Sequence, residues 1–233
     1  MKKNVWFINF VISCVFFTSC SNNNEVKPEE NLEHLHTCKI ESKLTDTEMT
    51  DLHKKLFEYI NSPSTRGYGE ESEEKAREIL SPLIADGVNI RNQILYYLEK
   101  DNNAKTFQKE IDMLDNLNQE QLASLSFVIY NIDDNNPVWG YTISSNGDIS
   151  PEILNQPYTI GQIADCLSVA FGIDIAKSVY NYIKGTQMLM SASTALEIAS
   201  AFGRRTIGWI GIAYCAYQFG TCLKNKGYQV AVE

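Results

Sequence analysis

The chain has 233 residues, with 20 Lys+Arg against 29 Asp+Glu and a formal net charge of −9. At 44% hydrophobic residues it is too apolar for a disordered tail, and six cysteines in this length do not make a disulfide-dense miniprotein. A chain this acidic lacks the cationic surface that phosphate contacts require, which argues against nucleic acid as a partner. The length suits one domain or two small ones, with ample material for a core.

The N-terminus carries an address. Lys2 and Lys3 form a positive start, Val5 to Phe17 form an apolar run, and Phe17-Thr18-Ser19-Cys20 closes it with small residues before a cysteine. About 13 apolar positions fall short of the roughly 20 that a membrane-spanning helix needs, and suit a cleaved export signal. Over its first 20 residues the chain resembles a bacterial lipoprotein signal peptide with its lipobox, departing from it at Phe17, where Leu is more usual. The resemblance implies removal of residues 1–19, acylation of Cys20 and anchoring to a lipid bilayer through it. Ser21 after the cysteine, rather than Asp, points by the same analogy to the outer membrane. An ordinary secretory signal with an incidental Cys20 is the alternative. Residues 20–44 then read as a flexible polar tether, with Pro28 and no apolar period through Glu33.

Charge divides the remainder. Residues 20–159 hold 12 basic and 25 acidic side chains, whereas residues 160–233 hold 6 and 4 and are far more apolar. The acidic region, 45–132, predicts helices. Thr45 and Glu48 have capping-box spacing, followed by Met49, Leu52, Leu56, Tyr59 and Ile60, with His53 near the polar edge of that stripe. Asn61, Pro63 and Gly67 to Gly69 break the pattern. A second helix is expected from about Glu71 through Ala76, Leu80 and Leu83, with Pro82 either kinking it or restarting it, and Gly87 as its stop. Ile90, Ile94, Tyr97 and Leu98 mark a third helix, and Phe107, Ile111 and Leu114 a fourth. Asn118 with Gln121 caps a fifth through Leu122, Leu125 and Ile129.

Residues 133–158 depart from this period. Val138 to Ile143 is a strand, and Asn146-Gly147 suits the turn of a short hairpin. The segment is either a connector between two domains or a β-loop packed at the edge of one. From 159 to 226 the chain is helical and apolar: Ile160, Ile163, Leu167, Ala170 and Phe171 share a face, and Gly172 is a break before Ile175, Val179 and Ile183. Met188, Ala192, Ala195, Ala199 and Phe202 form a further stripe. Thr206 to Leu223 are uncharged throughout and would make a helix about 27 Å long. The expected fold class is mainly α, a multi-helix bundle with one short β-hairpin or extended loop near 138–149.

The oily segment is either a core helix surrounded by neighbours or a membrane-active element. Outside the cytosol the cysteines are free to pair, and Cys166 with Cys222 is the favoured bridge because it closes the apolar region into a loop. That bridge requires the helix to break at Gly172, and buried free thiols are the alternative. His34, His36 and Cys38 alternate as extended-chain ligands do and are weak metal candidates in a tether that binding would have to order. No histidine follows His53, which excludes a His-containing triad within the main body. Glu70, Glu71, Glu73 and Glu74 are a carboxylate run at a helix start, the usual solvated face favoured by the macrodipole. No catalytic residue and no cofactor are assigned. The expectation is an envelope lipoprotein, lipid-anchored, acting as a non-catalytic interaction or structural module whose protein partner, if it has one, the sequence does not name. The alternatives are a bacteriocin-like effector whose C-terminal apolar helices insert into a membrane, and a surface hydrolase using paired carboxylates.

Overall fold

A computed structural model describes residues 39–62, 69–100, 107–133, 139–143, 149–153, 159–172, 191–205 and 207–230. Among them are seven helices and two strands: α1 (Asp46–Asn61), α2 (Glu70–Lys100), α3 (Gln108–Asp115), α4 (Gln119–Ile132), β1 (Trp139–Ile143), β2 (Ile149–Ile153), α5 (Ile160–Phe171), α6 (Ala192–Gly203) and α7 (Trp209–Val230). The protein is mainly α, a helical bundle with one short β-hairpin.

Helix starts follow local chemistry. At α1 the Thr45 hydroxyl accepts from the Glu48 amide at 3.2 Å and the Glu48 carboxylate accepts from the Thr45 amide at 2.8 Å. Reciprocal capping of this kind also opens α4, through Asn118 and Gln121, and α5, through Thr159 and Gln162. Each box satisfies two backbone N–H groups that the first helical turn leaves without partners.

The predicted second and third helices are one. α2 runs for 31 residues through both Pro82 and Gly87. Its buried face of Ala76, Leu80, Leu83, Gly87, Ile90, Ile94 and Leu98 repeats every three or four residues without interruption. Burying that stripe outweighs the roughly 3 kcal/mol that an internal proline costs a helix. Gly87 is no stop: it lies where α2 crosses α4, and a β-carbon there would sit 2.2 Å from the Leu122 carbonyl oxygen.

β1 and β2 pair antiparallel, with Trp139 opposite Ile153, Tyr141 opposite Pro151 and Ile143 opposite Ile149. Asn146-Gly147 lies outside the described residues. The period of two turns Trp139 and Tyr141 to one face, where both are buried, Trp139 against α1 and Tyr141 against α1 and α7. One hydrophobic cluster runs from Ile40 to Leu223 and draws on both the acidic and the apolar halves. α7 packs against α1, α2, α4, α5 and β1, burying Ile212, Ala213, Ala216, Phe219 and Leu223. Among the described residues no helix is long and apolar enough to cross a membrane.

Candidate functional site

α5 and α7 lie antiparallel. Cys166 and Cys222 are bridged across them, Sγ to Sγ 2.09 Å with Cα atoms 5.5 Å apart. One turn along, Lys226 Nζ lies 2.6 Å from Asp165 Oδ2. α5 stops at Phe171 because Gly172 adopts φ 105°, the left-handed half of backbone space that a side chain resists. The Phe171 carbonyl freed by that ending accepts from the Arg205 guanidinium, which occupies the space a β-carbon on residue 172 would need. Ile175, Val179 and Ile183, placed beyond this break from the sequence, lie outside the described residues. Cys215, half-buried on α7, is a free thiol pushed up to about 11 by burial, with a smaller opposing pull from Arg205. A thiol so protonated is a poor nucleophile.

Cys20, His34, His36 and Cys38 lie outside the described residues. Among those described, no group of three or more His, Cys, Asp or Glu side chains is placed to hold a metal ion.

His53 is not at the polar edge of α1. It is 0% exposed, stacked on Trp139 at 5.5 Å and 19°, edge-on to Tyr141 at 5.8 Å, and tilted against Phe127 at 6.2 Å. Its Nδ1 lies 3.2 Å from the Tyr141 hydroxyl, and its Nε2 has no hydrogen-bond partner among the described residues. Burial alone lowers its pKa from the ordinary 6.5 to about 3, so the ring is neutral at physiological pH. The hydrophobic pattern of α1 cannot reveal this, because the strand that covers the ring comes from elsewhere in the chain.

Asp86 is a second buried polar group. At 5% exposure its carboxylate accepts from the Ser42 hydroxyl at 2.8 Å, the Lys43 amide at 2.7 Å and the Ser126 hydroxyl at 2.8 Å. It thereby ties the segment before α1 to α2 and α4. Its signal is legible in retrospect: an aspartate in register with the apolar stripe, between Leu83 and Ile90.

An open cleft of about 760 Å³ lies where the start of α2, the start of α4 and the start of α7 meet. Glu70, Glu73, Glu74 and Glu120 line it, with Arg77, Gln119, Trp209 and Ile210. Arg77 donates to Gln119 Oε1 at 3.0 Å and lies 3.5 Å from Glu74, so the single cation of the wall is already engaged. Trp209, 8% exposed, forms an aromatic wall. Such a wall with excess carboxylate attracts cations. The sequence marked the glutamates at the start of α2; Glu120 and Trp209 join them only through the packing of three helices. No protein-family model, curated protein or solved structure matches the chain.

Proposed function

We propose that this protein is a bacterial envelope lipoprotein, held to the membrane by acyl chains on Cys20, whose helical body is a non-catalytic interaction or structural module. The observation that carries the reading is the Cys166–Cys222 bridge, which suits a body exported to an oxidising compartment. It accords with the export-type residues 2–17, the cysteine at position 20 and the polar tether that follows. An interaction role draws support from the cleft wall, which sets more carboxylate than cation beside Trp209. The effector alternative has less support, because α7 shares the core with the acidic helices and is covalently linked to α5. The acidic cleft beside Trp209 is the face to examine for a cationic partner.

Metabolic labelling with a radioactive fatty acid in a bacterial host tests the anchor. The wild-type chain takes up label and partitions with membranes, and Cys20→Ser remains an unlabelled precursor. A wild-type chain without label, or label that survives in Cys20→Ser, overturns the reading.

A further inference from the structure

We propose that His53 is the pin of an acid-sensitive latch: while its imidazole is neutral the β1–β2 hairpin stays docked on α1 and α7, and protonation releases the hairpin. The geometry of the cage carries this. Trp139 and Tyr141, both buried residues of β1, rest on the imidazole. An imidazolium has two N–H donors and needs two acceptors. The Tyr141 oxygen can accept one from Nδ1, but among the described residues nothing is placed to accept from Nε2 in either tautomer. The surroundings offer no compensating charge among the described residues. From β1 the ring faces Tyr141, and Tyr217 of α7 stands behind that ring at 5.1 Å. From α4 it faces Phe127, with Tyr130 further along, its hydroxyl directed to Asp46 Oδ1 at 3.2 Å. On its own helix the residue one turn on is Phe57, packed against Tyr141. Burial pushes both Tyr130 and Tyr141 upward, so neither ionises as the medium acidifies. The depressed pKa of His53 has burial as its only cause, with no carboxylate or cation contributing.

Relief therefore requires water at Nε2, and the smallest motion that admits it lifts the hairpin. A two-stranded ribbon is not stable alone and holds its place by what its inward residues bury. The helices around it share a core that extends well beyond β1, from which that cluster takes Trp139. Opening would bring Phe57 and Tyr217, which pack on Tyr141, to the surface.

Hydrogen exchange of the full chain, followed by mass spectrometry at pH 7.5 and 4.5 and corrected for intrinsic exchange rates, tests the latch. With an exposed imidazole titrating near 6.5, the opening equilibrium for 139–143 should rise roughly 100-fold between the two conditions, while the middle of α2 keeps its protection. His53→Phe and His53→Gln, neither of which titrates, should each remove the pH dependence. An unchanged hairpin in the wild type, the same rise in either variant, or parallel loss of protection in α2 would each overturn the proposal. If both variants fail to fold, the wild-type comparison of hairpin with α2 still decides it.

Discussion

Replacing Gly87 by Ala sets two effects of opposite sign against each other. Alanine is the better helix former, by about 1 kcal/mol in a helix interior, so propensity alone would stabilise α2. The added methyl, however, meets Leu122 backbone: oxygen at 2.2 Å, carbonyl carbon at 2.6 Å and Cα at 3.0 Å. Ordinary contact begins near 3.4 Å, so the two helices must part by about 1 Å. Leu122 is poorly placed to yield. The turn that carries it is fixed by the Asn118–Gln121 box, and the Gln121 side-chain Nε2 donates to the carbonyls of Phe202 and Arg205 at 3.1 and 3.0 Å. Overpacking against backbone costs about 3 kcal/mol, at the upper end of the usual range, and the net is a loss of about 2 kcal/mol. Thermal unfolding should fall by about 4–8 °C for a body of this size. Gly161→Ala on α5 is the comparator, since a methyl there meets only the Thr159 hydroxyl at 3.7 Å and should be neutral or stabilising. Urea unfolding with an unchanged slope measures both. If Gly87→Ala is as stable as the parent, the close crossing of α2 and α4 is refuted.

The Cys166→Ser, Cys222→Ser double variant should lose about 4 kcal/mol, the loop-closure entropy released by a bridge spanning 56 positions. Denaturant unfolding with and without reductant checks it, and a parent indifferent to reductant would contradict a stabilising role. Asp86→Ala should cost about 3 kcal/mol, because it strands the hydroxyls of Ser42 and Ser126 and the Lys43 amide without their acceptor. Asp86→Asn, which keeps one acceptor oxygen, should lose less in the same unfolding assay, and equal losses would show that hydrogen bonding is not what Asp86 contributes.

What could be read in the sequence was local. Thr45 with Glu48 and Asn118 with Gln121 announce helix starts because a cap involves residues three apart and needs nothing from the rest of the chain. The strand over Trp139–Ile143 and its antiparallel partner were legible for the same reason. Pro82 and Gly87 misled because their local preference is to end a helix, whereas tertiary packing of the stripe they interrupt decides the outcome. Gly87 in particular is a close-approach residue whose partner, Leu122, cannot be seen from α2 alone. His53 and the cleft were hidden by distance in the chain. The ring's environment comes from β1 and α4, and the cleft assembles Glu73, Glu120 and Trp209 from three separate helix starts. Pairing Cys166 with Cys222 depended on one local feature, the helix ending at Gly172, and on the antiparallel run of α5 and α7 that follows from it.

The His53 cage places a pH-dependent term inside that packing, and its size decides which part of the molecule feels it. Lowering the pKa from 6.5 to about 3 corresponds to about 5 kcal/mol between the two protonation states. Stacking on Trp139 would return about 1–2 kcal/mol to an imidazolium through the indole face, which leaves burial dominant. The open chain takes up its proton near 6.5 and the native state only near 3, so in that window the open form binds more protons. The stabilisation is therefore fully present above 6.5 and is lost as pH falls towards 3. Whole-domain stabilities run to about 5–15 kcal/mol, whereas a peripheral hairpin opens at a fraction of that. At pH 4.5 the penalty is about 3 kcal/mol, rising further as pH nears 3, which is large for the β1–β2 ribbon and small for the α2–α4 core, so moderate acid should lift the hairpin before it unfolds the bundle.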